Sequence, residues 1–166
     1  MKQDDILKFM LIRPACPEDY PAFCRLYLEI NDLHAAAHPG MFRQTRNPPY
    51  DREEFDFMLE DANQAIFIAE VDGEAAGFIN VVLRDTPPLE ILALRRFAVV
   101  DSIGVNRRYR RQGTGQALML RAEQWAAEKG AAAIDLTVYE FNRSAIAFYE
   151  QLGYTPLSRR LNKPLP

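Results

Sequence analysis

Apolar residues along the chain alternate between short runs and helix-spaced stripes. Phe9-Met10-Leu11-Ile12 is a short apolar run ended by Pro14 and predicts a first strand. Pro17 stands just inside a helix start, where its missing N–H costs nothing. Tyr20, Phe23, Tyr27, Ile30 and His34 then follow steps of three and four, one face of a helix. Pro39-Gly40 stops it, and Asn47-Pro48-Pro49 reads as a loop. Asp51 fits an N-cap with Glu54 as its capping partner, and Phe55, Met58, Leu59 and Ala62 form the stripe of a second helix.

Ala65 to Val71 predicts a strand, Asp72-Gly73 a hairpin turn, and Glu74 to Leu83 the return strand. After a turn at Asp85-Thr86-Pro87-Pro88, the next strand spans about Leu92 to Val105. A third helix fits Thr114 to Lys129, with Leu118, Ala122, Trp125 and Ala126 inward and Gly130 past its end. Ala133 to Tyr139 predicts a strand, Asn142 to Leu152 a helix closed by Gly153, and Tyr154 to Leu161 a last strand. A strand, two helices, an antiparallel meander, then helix, strand, helix and strand make a mixed α+β domain.

Composition narrows the class. The 166 residues, 48% hydrophobic and 26% charged, have globular values and fit one domain over 1–166. No apolar run reaches the ~18 residues of a membrane helix, and Met1 to Lys8 lack the apolar core of a secretory signal. Two cysteines, Cys16 and Cys24, read as reduced thiols of a cytoplasmic protein. The net charge is -3, from 20 Lys+Arg and 23 Asp+Glu, which argues against a protein that coats nucleic acid. The charge is uneven, because Arg107, Arg108, Arg110 and Arg111 stand within five positions. A basic spot on an acidic body suggests one local anion site, although nucleic-acid binding through the same run would also use it.

That spot runs into Gln112-Gly113-Thr114-Gly115-Gln116, where a strand ends and a helix begins. Glycines allow close backbone approach, and the first N–H groups of a helix favour phosphate. The chain has no Gly-Lys-Ser/Thr, and Leu118 stands where a dinucleotide fingerprint needs its third glycine. What remains is Arg110-x-x-Gly113-x-Gly115. Further on, Asn142, Ala145, the Phe148-Tyr149 pair and Gly153-Tyr154 lie on or just past one helix, with Asn142 and Tyr149 two turns apart.

Together these segments resemble the Gcn5-related N-acetyltransferase (GNAT) superfamily, over roughly residues 9–157. The resemblance implies a mostly antiparallel twisted sheet with two splayed parallel strands, flanked by about four helices. It implies acetyl-CoA as co-substrate and a primary amine, on a small molecule or a protein, as acceptor. In that family pattern the backbone N–H groups of Arg111, Gln112, Gly113, Thr114 and Gly115 hold the pyrophosphate, with Arg110 adjacent and Gln116 also at the cofactor. The backbone of Ile103, Gly104 and Val105 meets the pantetheine arm, with the Val105 N–H toward the thioester oxygen. Asn142, Ser144 and Phe148 border the arm, although Phe148 also fits a plain core residue. Tyr149 reaches the sulfur as general acid.

The reaction sets demands of its own. An amine of pKa about 10.4 costs about 4.6 kcal/mol to deprotonate at pH 7, so a base or a water chain is needed. Asp101 is the candidate, sharing strand parity with Val99 and Ile103, where burial would raise its pKa. A bulge turning it outward, or simple ammonium binding, are the alternatives. The segment His34 to Phe42 falls in the acceptor-binding region that the resemblance implies, and Glu29, Asp32, His34 and His38 are candidates to line a site for a cationic acceptor, although His34 also continues the apolar stripe. Tyr50, Phe55 and Trp125 read as core or rim. No metal is expected at His34 and His38, because Ala35 replaces the glutamate of the zinc motif. A non-catalytic acyl-CoA sensor on the same fold is the second reading, an acyl group larger than acetyl is not excluded, and a homodimer is left open.

Overall fold

In the computed structural model, which describes residues 10–163 and 165, five strands form one sheet. They are β1 Met10–Pro14, β2 Gln64–Val71, β3 Glu74–Asp85, β4 Arg96–Val105 and β5 Ile134–Leu136, adjacent in that order. The first three pairings are antiparallel, while β4 and β5 run parallel. Four α-helices accompany them among the described residues: α1 Tyr20–Ala37, α2 Arg52–Glu60, α3 Thr114–Glu128 and α4 Arg143–Gln151. This is the mixed α/β arrangement expected from the pattern.

Local chemistry explains the ends. Glu54 accepts the Asp51 N–H at 2.6 Å, half of the capping box that opens α2. Asp72 and Gly73 both take positive φ, 52° and 78°, the two-residue turn that suits the twist of a β2–β3 hairpin. Pro17 sits in a short 3-10 turn, Pro17–Asp19, that leads into α1.

Two cores cover the two faces of the sheet. On one, Leu118, Met119, Ala122, Trp125 and Ala126 of α3 pack on Phe67, Ile79, Val81, Ala98 and Val100. On the other, Phe23 and Leu26 of α1 and Phe55 of α2 pack on Ile66, Ile68 and Phe78. Burying each such side chain contributes roughly 1.5–3 kcal/mol. Gly104 permits the close approach of α1, since a Cβ there would stand 2.5 Å from Ile30 Cδ1.

Three expectations are corrected. The strand predicted from Tyr154 to Leu161 does not form. Tyr154 instead donates its hydroxyl to Glu123 on α3 at 2.9 Å, Pro156 has no N–H to pair, and Leu157 and Leu161 remain exposed. The strand predicted from Ala133 to Tyr139 is only Ile134–Leu136. The strand predicted from Leu92 starts at Arg96, because the Arg95 carbonyl accepts from the Thr86 N–H and closes residues 86–95 as a loop. Phe9, expected in the first strand, lies outside the described residues. No helix among the described residues is long and apolar enough to cross a membrane.

Candidate functional site

The site begins where β4 and β5 part. Pairing ends at Val100↔Leu136, while β4 continues to Val105. The same place carries a bulge. Asn80 faces Ser102 and Val81 faces Val100, so Asp101 has no partner on β3. Ala98 and Val100 belong to the core under α3, and beyond the bulge Ile103 and Val105 pack against that core instead. The extra residue therefore shifts the parity of the strand. Asp101 does not share a face with Ile103, and it is exposed rather than buried. Its bulge is the reason.

Beyond the bulge the ladder leaves two residues open. The Asn106 N–H donates to the Ala76 carbonyl at 2.8 Å, which makes that a hydrogen-bonded pair. By antiparallel alternation, Val105 opposite Gly77 and Ile103 opposite Ile79 are non-bonded pairs. Their N–H groups leave β3 and point toward the opening. Gly104 directs its own toward Phe78, so its contribution is room for Ile30.

The loop after β4 is held from the other face of the sheet. Glu29 of α1 accepts from the Arg107 N–H at 2.9 Å, from Arg110 Nη2 at 3.0 Å and from Asn106 Nδ2 at 3.2 Å. Arg110 Nε also donates to the Val105 carbonyl at 2.8 Å. Gln112 donates to the Arg108 carbonyl, and the buried Thr114 hydroxyl to the Tyr109 carbonyl at 3.2 Å. Arg111 and Gly113 then take positive φ, 61° and 85°, and α3 starts. The first helical bond is Ala117 N–H to the Gly113 carbonyl. Among the described residues, no protein acceptor takes the N–H groups of Arg111 to Gln116. Their convergence at a helix start fits a pyrophosphate. Arg108 faces Glu74 at 3.7 Å and Arg110 faces Glu29, so the basic run acts partly as scaffolding.

α4 closes the same side. A Cβ on Gly115 would lie 3.3 Å from Phe148 Cζ, so that ring rests on the start of α3. Asn142 caps α4, its Oδ1 accepting from the Ala145 N–H and from the exposed Ser144 hydroxyl, both at 3.2 Å. That leaves the Asn142 amide N–H groups for a ligand. Tyr149 packs between Phe148 and Tyr154, and burial raises its phenol above the ordinary value. It therefore keeps its proton across the neutral range.

The other side of the opening is aromatic. His34 of α1, His38 at its C-cap and Phe42 beyond it meet Tyr139 and Phe141 of the segment after β5. Phe42 lies edge-on to Tyr139 at 4.9 Å, and Tyr139 stacks on Phe141 at 5.7 Å. His34 Nδ1 lies 2.9 Å from the Ile30 carbonyl; that nitrogen must carry hydrogen, which leaves Nε2 with a lone pair in the neutral ring. Nearby, Tyr27 and Tyr50 meet edge to face at 4.9 Å. Burial, then Tyr27, then the charge of Asp101 push the Tyr50 phenol well above its usual value. Ser102 Oγ is buried and unpartnered among the described residues.

A model of the acetyltransferase (GNAT) family matches residues 27–154. The chain belongs to that family. A Methanocaldococcus jannaschii protein described as an uncharacterized N-acetyltransferase is 26% identical over 155 residues, covering 93% of this chain and 64% of that one. The chain thus spans less than two thirds of that relative's length. The crystal structure of a point mutant of a Bacillus halodurans protein superposes with TM-score 0.89 at 23% identity, over 94% of this chain and 99% of that one. An aminoglycoside N-acetyltransferase in complex with CoA superposes with TM-score 0.70 at 18% identity, over 94% and 99%. At these identities the likeness is one of fold.

In this GNAT chain Asp101, Ile103 and Val105 lie on β4, Arg110 to Gln116 on the loop and start of α3, and Asn142, Phe148 and Tyr149 at α4, while two acceptor candidates are placed elsewhere. Glu29 is committed to the loop after β4. Asp32 lies two residues from both Ile30 and His34 and so leaves α1 on its outer side, in a groove with Tyr20, Cys24 and Leu28. Sequence reasoning included Phe42 only as the end of the acceptor-binding segment, missed Tyr139, Phe141 and Ser102, read Tyr27 as helix stripe alone, and assigned Tyr50 to core or rim. The spacing of His34, His38 and Phe42, and the alternation of Tyr139 and Phe141, were the available signals.

Proposed function

We propose that this chain is an acetyl-CoA-dependent N-acetyltransferase that brings a primary amine and acetyl-CoA together in a ternary complex. The observation that carries the reading is the alignment of unbonded donors: the Ile103 and Val105 N–H groups along β4, then those of Arg111 to Gln116 at the start of α3. One row suits an amide-bearing arm and the other a pyrophosphate. Bound acetyl-CoA supplies the acetyl group as a thioester. The amide C–N bond forms and the C–S bond breaks. Of the two protons the ammonium sheds, one ends on the CoA thiol and one in solvent.

The chain's own groups have distinct tasks. The Val105 N–H donates to the thioester oxygen, an interaction worth ~2.7–4 kcal/mol in comparable sites. Tyr149 holds a proton for the departing sulfur; its raised phenol stays protonated at neutral pH but is a weaker acid than the thiol, so a hydrogen bond to the thiolate carries part of the task. Asp101, exposed beside Tyr50, holds the ammonium and passes a proton to water. The amide of Asn142 borders the pantetheine arm. A non-catalytic acyl-CoA sensor would need neither Tyr149 nor Asp101.

The test is thiol release from acetyl-CoA against a panel of amines and peptides, with calorimetric binding of acetyl-CoA in parallel. Tyr149→Phe is expected to lower kcat by roughly 100-fold while changing acetyl-CoA affinity by less than about threefold. Equal loss of both would make Tyr149 a structural residue. Binding without release, for every acceptor, would favour the sensor.

A further inference from the structure

The charges on the acceptor side of the opening do not make a site for a polycation. Glu29 is committed to the loop after β4, and Asp32 lies on the outer side of α1. Asp51 and Glu54 are both paired with Arg46, and Glu140 lies 3.9 Å from Arg159. Asp101 has no ion-pair partner among the described residues. Its charge reaches the Tyr50 phenol.

The rings between α1 and the segment after β5 form an aromatic wall. Phe42, Tyr139, Phe141 and His34 are mutually packed at 4.9–6.2 Å. Tyr139 keeps 38% of its surface exposed although its neighbours could cover a core ring completely. The wall belongs to the opening itself. Asp101 is one residue past the last β4–β5 pair and Tyr139 is three residues past it, an offset of roughly 7 Å along extended chain.

We propose that the acceptor is a primary amine with a single cationic centre on an aromatic body. The ring lies on Tyr139 and Phe42, and the ammonium is held by Asp101 with the Tyr50 hydroxyl. His34, fixed by its bond to the Ile30 carbonyl, adds ring surface. A second or third ammonium would meet this wall without a carboxylate to receive it, and would be desolvated unpaired. The proposal rests on the transferase reading and narrows its acceptor.

The test compares kcat/KM for phenethylamine and tryptamine with that for spermidine and an aminoglycoside, at fixed acetyl-CoA. The aryl amines are expected to exceed the polycations by at least about tenfold. Phe42→Ala and Tyr139→Leu are each expected to raise the aryl-amine KM about tenfold with acetyl-CoA affinity unchanged. Two variants guard against one that folds poorly, which circular dichroism would reveal. A preference for the polycations, or an unchanged KM in both folded variants, overturns the proposal. If no amine releases thiol, the transferase reading fails, and saturation-transfer NMR with tryptamine decides the wall separately. Contact in the parent that disappears in Phe42→Ala supports ring recognition, and absence of contact in the parent overturns it.

Discussion

The two sides of the opening are built from different materials. On the cofactor side, a contiguous loop is shaped by backbone: two positive φ values, two glycines, and side chains that tie carbonyls and N–H groups together. On the acceptor side, two segments far apart in sequence, one carrying His34 and Phe42 and the other Tyr139 and Phe141, meet through rings. The first kind of site presents fixed donors to an invariant chemical group. The second presents surface, whose preference changes with each substitution.

The comparison can be broken from the cofactor side first. Gly115→Leu forces a side chain into the 3.3 Å space under Phe148 and across the free N–H groups. Acetyl-CoA binding is expected to weaken by at least about 100-fold, read by calorimetry. An intact affinity would mean that the α3 start is not the phosphate cradle. Next is Glu29→Gln, which loses its charge pairing with Arg110 and weakens its acceptance of the Arg107 N–H. The pair is partly exposed, so its direct stability contribution is under about 1 kcal/mol. The expected effect is about tenfold weaker acetyl-CoA binding with the amine KM unchanged. A change in amine KM alone would place Glu29 on the acceptor side after all.

The smallest effect is in alkaline stability. Burial first, with neighbouring groups at Tyr50 and Tyr154, raises the phenols of Tyr50, Tyr149 and Tyr154. The folded form therefore holds these protons more tightly than the unfolded chain. Their contribution is fully present below pH about 10 and is lost as pH climbs through the raised values. Thermal midpoints measured from pH 8 upward should be flat with respect to these groups and fall above about 10. The fall should be shallower in Tyr50→Phe and in Tyr149→Phe, which sit on opposite sides of the opening. An unchanged slope in one variant would show that its phenol is wet.

Legibility in the sequence follows the same division. The cofactor loop could be read because its chemistry is local: glycines at fixed spacing, a strand before and a helix after. The capping box at Asp51 and the hairpin at Asp72-Gly73 were readable for the same reason. The role of Glu29 was not, because its three donors lie far along the chain. Nor was the aromatic wall, since nothing near Phe42 in the sequence announces Tyr139. Asp101 failed differently. Its face was inferred by counting alternate residues, and the count does not survive an unpaired residue. The final strand was misread because period and composition do not register that Pro156 lacks a donor and that Tyr154 is engaged elsewhere.

That unpaired residue has a consequence for how β4 tolerates change. The strand works like a two-sided strip whose printing is out of phase between its halves, with even positions serving the α3 core before Asp101 and odd positions after it. Deleting one residue there would bring the halves into phase. Either Ala98 and Val100 or Ile103 and Val105 would then turn to the wrong side of the sheet. The donor row along Ile103 and Val105 would rotate into the ladder with β3. Substitution at position 101 alters one side chain, whereas deletion would erase both a core and a binding edge.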